Sequence, residues 1–257
     1  MRYTPFWGLL VVRPHSHMTA FSDQLLEALG AWQNGWREVQ ARREILAEDL
    51  CKQAAGLPPE FRTITTSCYR KRFIHKGEMV DLFLNDFRDE GMASWTLDLR
   101  FAERLKGLTR DDAVSAAIFE HTPVDGEVIV SFPALWASEE FRIAVADYAS
   151  REGPYAAALL NFKDEQQEVV LRTPLRSSEM IALTGASSPF DELCDRIGIA
   201  EDQRDQIFKT LIDGGTYVGE VQYIDKEATQ RVVTRSIQRL YVVVKEHLER
   251  QGIDSAV

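Results

Sequence analysis

The sequence predicts an α+β protein, with antiparallel sheets in a central domain and helices flanking it. Its 257 residues are 45% hydrophobic, enough for one large domain or for one domain with substantial helical additions. Between residues 60 and 185, short β-branched runs mix with segments of helical period, without the regular βαβ alternation of a doubly wound fold. On either side of this region the pattern is mainly helical.

The first flank consists of a lead-in, residues 1–18, and a helical extension, residues 19–57. The lead-in contains the apolar run FWGLLVV, which is too short to span a bilayer and is followed by no cleavage pattern of a signal peptide. Met1 and Met18 are both candidate start sites. In the extension, apolar residues recur at helical spacing, and Gly30 and Gly35 favour a break into two helices. The prolines after Leu57 end this flank.

The central domain, residues 60–185, alternates between predicted strands and helices. Strands are predicted at residues 63–74, 92–96, 127–132, 155–162, 167–172 and 179–184. Helices are predicted at residues 78–88, 98–106 and 137–151.

The second flank, residues 189–257, is predicted to be a mainly helical extension. It contains two short predicted helices, 190–196 and 201–213, a strand-like run at 216–224, and a long helix from Lys226 to Gln251. The long helix carries one apolar stripe, which indicates core packing or the docking of a regulator or a second copy.

Charge and cysteine usage limit the class of protein. With 30 basic and 40 acidic side chains the net charge is -10, which argues against a broad basic surface for sequence-independent binding of nucleic acid. The three cysteines, Cys51, Cys68 and Cys194, are far apart, odd in number and without metal-ligand spacing. They favour a reducing, cytoplasmic compartment over a disulfide framework.

Three short segments carry the side chains that could form a site. Gln166 and Glu168 stand where a loop enters the β-branched strand Val169-Val170-Leu171, so their side chains should project from one side of the backbone. A carboxylate held there could bind a ligand hydroxyl, although a solvated loop has the same composition. Arg70 lies in a short basic strand, SCYRKRF, and Ser94 begins a Ser-Trp-Thr strand end.

This order, an arginine on a first strand, a Ser-x-Thr strand, and Gln-x-Glu opening a late strand, resembles the arginine-serine-glutamate class of mono-ADP-ribosyltransferases, which includes bacterial toxins. The resemblance covers roughly residues 60–185. It implies an ADP-ribosyltransferase-like split antiparallel β-sandwich that binds NAD in a cleft between two small sheets. Such a fold needs no Gly-x-Gly-x-x-Gly loop, and the sequence has none.

The resemblance also implies roles for individual residues. Arg70 would support the NAD phosphates and the nicotinamide-side ribose. Ser94 would be the first serine of the family's Ser-Thr-Ser strand, and Thr96 would stand near its third position, both on the cofactor-binding side. Glu168 would orient the nicotinamide ribose as the catalytic glutamate, and Gln166 would occupy the position two residues before it.

This sequence departs from the family pattern at three positions. Trp95 stands in the middle of the Ser-Thr-Ser motif, and Thr96 replaces its last serine, so a hydroxyl survives at each end. Gln166 replaces the second glutamate that is typical of arginine-modifying members. The resemblance therefore points away from arginine as the acceptor and towards asparagine or nucleic acid.

The chemistry of NAD cleavage suits these residue types. Breaking the nicotinamide glycosidic bond builds positive charge on the ribose, which a nearby carboxylate such as Glu168 stabilises. A guanidinium engages a pyrophosphate through paired hydrogen bonds that an ammonium does not reproduce. Strand alternation puts Arg70 and Arg72 on one face, so periodicity alone does not separate them. Glu165 is an alternative carboxylate, one step off the motif.

We therefore expect an NAD-dependent mono-ADP-ribosyltransferase that modifies a macromolecule, either a protein side chain or a nucleic acid. NAD would be its substrate, and its partners would be the acceptor and a cognate antitoxin or regulator, without a membrane. A toxin or defence effector fits this expectation. The alternatives are an NAD glycohydrolase and a non-catalytic protein-interaction module. No histidine pair at zinc-binding spacing accompanies His121, so no metal site is expected.

Overall fold

A computed structural model describes most of the chain. The described residues are 20–35, 38–75, 78, 80–105, 113–161, 166–184, 194, 196–200, 203–204, 206–207, 210–211 and 223–251. The chain divides into two compact units, the first made of Met1–Pro58 and Ser138–Leu160 and the second of Pro59–Ala137 and Asn161–Val257.

Helices and strands are numbered along the chain. The α-helices are α1 (Asp23–Asn34), α2 (Gln40–Ala54), α3 (Leu99–Arg104), α4 (Phe132–Ala137), α5 (Glu139–Ser150), α6 (Ala156–Asn161) and α7 (Lys226–Arg250). The strands are β1 (Cys68–His75), β2 (Met92–Thr96), β3 (Ala113–His121), β4 (Val128–Ser131), β5 (Glu168–Arg172), β6 (Met180–Thr184) and β7 (Tyr223–Ile224).

The first unit is helical. Helix α1 begins at Ser22, whose hydroxyl accepts a hydrogen bond from the backbone N–H of Leu25. Helix α1 ends before Gly35, where a Cβ atom would lie 2.4 Å from a methyl carbon of Leu46. Helix α2 starts at Gln40, which confirms the predicted division of the first extension into two helices.

The second unit is built on one antiparallel sheet with the strand order β4-β5-β2-β1-β3-β6-β7. Every residue of β2 is paired with β5, whereas β1 and β2 share a single pair, Tyr69 and Thr96. The sheet is thus joined weakly at its middle. We call β4, β5 and β2 the β2 half, and β1, β3, β6 and β7 the β1 half. The fold is α+β, with an antiparallel sheet and helices.

Alternation along the strands directs successive side chains to opposite faces of this sheet. One face buries Trp95, Phe119 and Leu171 in a core that also contains Val233 of α7. The other face packs Ile118 against Ala102 of α3. The first core packs β2 and β5 on one face of the sheet, and the second packs β1 against α3 on the other face.

Two predicted elements of the central domain need correction, and one strand was not predicted. The predicted strand at 155–162 is wrong, since Ala156–Asn161 forms α6. Its sequence, AAALLN, is composed mainly of strong helix formers and has no β-branched residue. The predicted helix at 78–88 is reduced to a π-helical turn, Val80–Leu84. Strand β3 was not predicted because its alanine-rich start has weak β-propensity, and pairing with β1 and β6 decides its state.

At the ends of the chain, the long helix α7 is confirmed and extends from Lys226 to Arg250. Only Tyr223 and Ile224 of the strand-like run are described, as β7. The lead-in 1–18 and most of the two short predicted helices lie outside the described residues. None of the described helices has the length and hydropathy needed to cross a membrane.

Candidate active site

Strands β5, β2 and β1 are neighbours in the sheet, so the three sequence segments that carry the candidate residues meet. The Ser94 hydroxyl donates a hydrogen bond of 2.5 Å to Oε1 of Glu168. The register explains this contact. Thr96 lies directly opposite Glu168, and Ser94 lies diagonally opposite it, within reach of a long side chain on the same face.

Burial divides this pair into an accessible and a covered member. Ser94 is exposed, whereas Glu168 is only 5% exposed. A buried carboxylate must be held by hydrogen bonds. The bond from Ser94 contributes to this, and it also orients Glu168 relative to the surface at which Ser94 is exposed.

Arg70 reaches the same point from β1. Its Nη1 donates to the backbone carbonyl of Ser94 at 2.8 Å, and its Nη2 contacts Glu90 at 2.9 Å. The Nε–H of Arg70 is buried and has no hydrogen-bond partner among the described residues. The side chain as a whole is 23% exposed, so part of it is accessible to solvent.

The structure distinguishes the contacts of Arg70 from those of Arg72, whereas strand periodicity alone could not tell the two arginines apart. Arg72 is paired with Glu90 and with Glu78, the latter at 2.7 Å, and its guanidinium also donates to the carbonyl of Phe73. It makes no contact of this kind with β2. Arg70 is therefore the arginine that lies next to Ser94.

Glu90 is the centre of the charge network around these arginines. Burial opposes its ionisation, but the neighbouring charges of Arg70 and Arg72 outweigh that effect and hold the pKa of Glu90 below its ordinary value. Neither Glu90 nor Glu78 was predicted. The available signal was that Arg70 and Arg72 share one face of a central strand, where buried charges need opposite partners.

Thr96 holds the loop that precedes Glu168. Its buried hydroxyl donates to the carbonyl of Gln166 at 2.6 Å, and the backbone N–H of Leu97 donates to the carbonyl of Gln167 at 3.1 Å. These bonds hold Gln167 at a φ of 41°, in the left-handed region that costs a non-glycine residue about 1–2 kcal/mol. The structure therefore assigns Thr96 a positioning contact with the loop. Gln166 itself is half-buried beside it.

The alternative carboxylate, Glu165, lies outside the described residues. In the part of the chain that the structure describes, no group of three or more His, Cys, Asp or Glu side chains is placed to hold a metal ion. The site is thus a carboxylate, a hydroxyl and a guanidinium on three adjacent strands.

The chain matches no protein-family model, no curated protein and no solved structure. Its function has to be inferred from the chemistry and geometry of these side chains.

Proposed function

We propose that the chain is an NAD-dependent mono-ADP-ribosyltransferase that transfers ADP-ribose from NAD to a macromolecule. The observation that carries the proposal is the hydrogen bond from Ser94 to Glu168, with the guanidinium of Arg70 on the carbonyl of the same serine. These contacts bring together segments of β1, β2 and β5 that are far apart in sequence, with the Arg70 side chain on the opposite face of the sheet from the Ser94 hydroxyl and Glu168.

The weak joint in the sheet supports the finer fold assignment, an ADP-ribosyltransferase-like split β-sandwich. One register pair, Tyr69 and Thr96, links the β1 half to the β2 half. Arg70 belongs to the first half, and Ser94 and Glu168 belong to the second. A dinucleotide bound at this joint would contact Ser94 and Glu168 on one face of the sheet, and its pyrophosphate would have to reach Arg70 on the other face through the joint.

Glu168 would act on the reacting ribose. When the bond between nicotinamide and ribose C1 breaks, its electron pair leaves with nicotinamide, and positive charge develops on C1 and the ring oxygen. A carboxylate that is fixed before the reaction stabilises this charge without reorganising. Ser94 would keep Glu168 in that orientation. The acceptor then forms a bond to C1 and gives up its proton.

Arg70 would bind the pyrophosphate. A guanidinium has five N–H donors, and the contacts with Ser94 and Glu90 engage only part of them. The partly exposed side chain leaves room for a phosphate oxygen to approach the guanidinium. Charge-assisted bonds of this kind are among the stronger contacts that a protein offers an anion.

Gln166 would influence which kind of acceptor the site takes. It is half-buried and fixed through its carbonyl by Thr96, so an uncharged amide stands two residues before Glu168. An amide does not attract a cationic arginine side chain as a second carboxylate would. We therefore propose an asparagine, another uncharged side chain or a nucleic-acid base as acceptor, and a toxin or defence effector acting in the cytoplasm.

The test uses NAD labelled in its adenylate phosphate, incubated with the protein and a cell extract. Transfer predicts label on a macromolecule, and digestion with protease or nuclease then identifies the acceptor class. Label recovered only as free ADP-ribose would identify an NAD glycohydrolase. Unchanged NAD would contradict both enzymatic functions and favour a non-catalytic interaction module.

Replacing Ser94 by alanine is expected to lower kcat/KM for nicotinamide release by about 10–100-fold. The variant loses one hydrogen bond to a charged group, which contributes about 1.5–3 kcal/mol. Ser94→Thr retains the hydroxyl and should retain most of the activity. Release is measured by chromatography of nicotinamide. Equal rates for Ser94→Ala and the wild type would show that this hydroxyl has no role in the reaction.

A further inference from the structure

A second polar cluster lies at the joint between the two sheet halves, outside the site described above. His121, the last residue of β3, pairs in register with Cys68 at the start of β1, next to the joining residue Tyr69. Its Nδ1 lies 2.8 Å from Glu179, and its Nε2 lies 2.8 Å from Glu127. The imidazole is therefore held between two carboxylates.

The two carboxylates belong to different halves of the sheet. Glu127 directly precedes β4, and its carbonyl accepts a hydrogen bond of 2.8 Å from the backbone N–H of Arg172 in β5, so it belongs to the β2 half. Glu179 directly precedes β6 and belongs to the β1 half. When both carboxylates are ionised they only accept hydrogen bonds, so in that state both ring nitrogens of His121 donate and the ring is an imidazolium.

The cluster also contacts the strand that carries the candidate site. The ring of Trp95 lies 5.8 Å from that of His121, with 51° between the planes. Trp95 is 2% exposed, and its Nε1 has no hydrogen-bond partner among the described residues. Within the described part of the chain, Trp95 is therefore held in place by packing. Its neighbours on β2, Ser94 and Thr96, point to the opposite face.

We infer that His121 is a positioning residue for the proposed NAD site: by bridging Glu127 and Glu179 it fixes the two sheet halves relative to each other and sets the placement of β2. This role depends on the proposed function, since it concerns how Ser94 and Glu168 are presented to NAD. His121 itself touches none of the proposed reacting groups.

The charged state of the bridge gives it a pH dependence. The hydrogen bond to Glu179 is the largest effect and, together with that to Glu127, outweighs burial and raises the pKa of His121. The hydroxyl of Thr173, 3.4 Å from Nε2, and the Trp95 ring are the uncharged groups around it. Cys68, its register partner, stays a neutral thiol because burial raises its pKa to about 12.

The direction in which pH affects the His121 bridge follows from these pKa shifts. A raised histidine pKa means that the bridge is complete below the ordinary value of 6.5 and is lost as the pH rises through the raised value. At the acid end burial opposes the ionisation of Glu127, but hydrogen bonds from Val124 N–H and His121 outweigh it and lower the pKa of Glu127, so this carboxylate loses its charge only as the pH falls through a value lower than the ordinary 4.5.

The experiment compares the pH profile of nicotinamide release in the wild type, Glu179→Gln and the control Glu103→Gln. Glu103 is an exposed carboxylate of the same unit. Removing the charge at position 179 lowers the pKa of His121, so the alkaline loss of activity should move to lower pH in Glu179→Gln. It should stay in place in Glu103→Gln. NMR titration of the imidazole signals should follow the same shift.

A second variant, His121→Gln, keeps a polar side chain but bears no charge. It should lower kcat by about 10–100-fold with little change in KM, because misplacing a catalytic group by about 1 Å has effects of this order. Circular dichroism at each pH checks that the variants are folded. If His121→Gln does not fold, the pH profile of nicotinamide release by Glu179→Gln tests the role of His121 on its own.

The outcomes separate this inference from the proposed function. Wild-type protein that releases no nicotinamide at any pH would overturn the proposed function and the role of His121 together. A wild type that cleaves NAD, with an alkaline limb that Glu179→Gln leaves unmoved, would overturn the role of His121 alone.

Discussion

Replacing Glu168 by glutamine is expected to lower kcat for nicotinamide release by at least about 10²–10³-fold, the loss that follows when one preorganised electrostatic contact to a transition state is removed. Glutamine has almost the same shape, and its amide oxygen can still accept the hydrogen bond from Ser94. The variant therefore loses the negative charge and little else, and KM for NAD should change by much less than kcat.

The control for Glu168→Gln is Glu103→Gln, which removes an exposed carboxylate from the same unit. Rates of nicotinamide release are compared at saturating NAD, and thermal melting confirms that both variants are folded. If Glu168→Gln turned over NAD as fast as Glu103→Gln, the reacting carboxylate would lie elsewhere in the chain.

Removing Glu90 is expected to have the largest effect on stability. Glu90→Ala should lower the free energy of unfolding by about 3–5 kcal/mol, because it leaves Arg70 and Arg72 without the carboxylate that both contact. Glu90 is only 11% exposed, so water cannot replace it at low cost. Denaturation in urea, followed by tryptophan fluorescence, measures the change.

Asp81 provides the matched control for Glu90. Its side chain is 55% exposed and lies 3.7 Å from Arg88, so this pair resembles an ordinary surface ion pair. Asp81→Ala should cost no more than about 1 kcal/mol. If Glu90→Ala were no more destabilising than Asp81→Ala, the arginines would be stable without their shared partner.

The pH dependence of this network has a defined direction. The pKa of Glu90 is lowered below its ordinary value of 4.5, so its stabilising contribution is present above 4.5 and is lost as the pH falls through the lowered pKa. The difference in stability between the wild type and Glu90→Ala should therefore shrink in acid.

Much of the site's local structure was predictable because it is encoded within a few residues. The β-branched run after Glu168 and the Ser-Trp-Thr segment form β5 and β2 close to the predicted bounds. Alternation placed Arg70 and Arg72 on one face of β1, and both contact Glu90 there. These features follow from strand periodicity and β-propensity, which act over short distances.

What the sequence did not predict depends on contacts between distant segments. The single pair between β1 and β2 depends on how these two strands, distant in sequence, meet in the folded sheet. Glu90 lies in a loop without strand or helix periodicity, so its pairing with Arg70 was not visible. The bridge from His121 to Glu127 and Glu179 likewise joins three segments that meet only in the folded sheet.

The division into units was also hidden, for a related reason. Residues 138–160 belong to the compact unit that contains the first helices, and they follow residues of the other unit directly in sequence. Helix α5 has the same amphipathic pattern as a helix that covers its own sheet. Periodicity identifies a buried face but does not identify which segment covers it.

The structure of Glu168→Gln crystallised with NAD tests the central claim most directly, since this variant should bind the dinucleotide without consuming it. We predict that a hydroxyl of the nicotinamide ribose lies within hydrogen-bond distance of the side chain at position 168, next to Ser94, and that Arg70 contacts a phosphate. NAD bound away from these three residues, or no binding at millimolar NAD, would contradict the account.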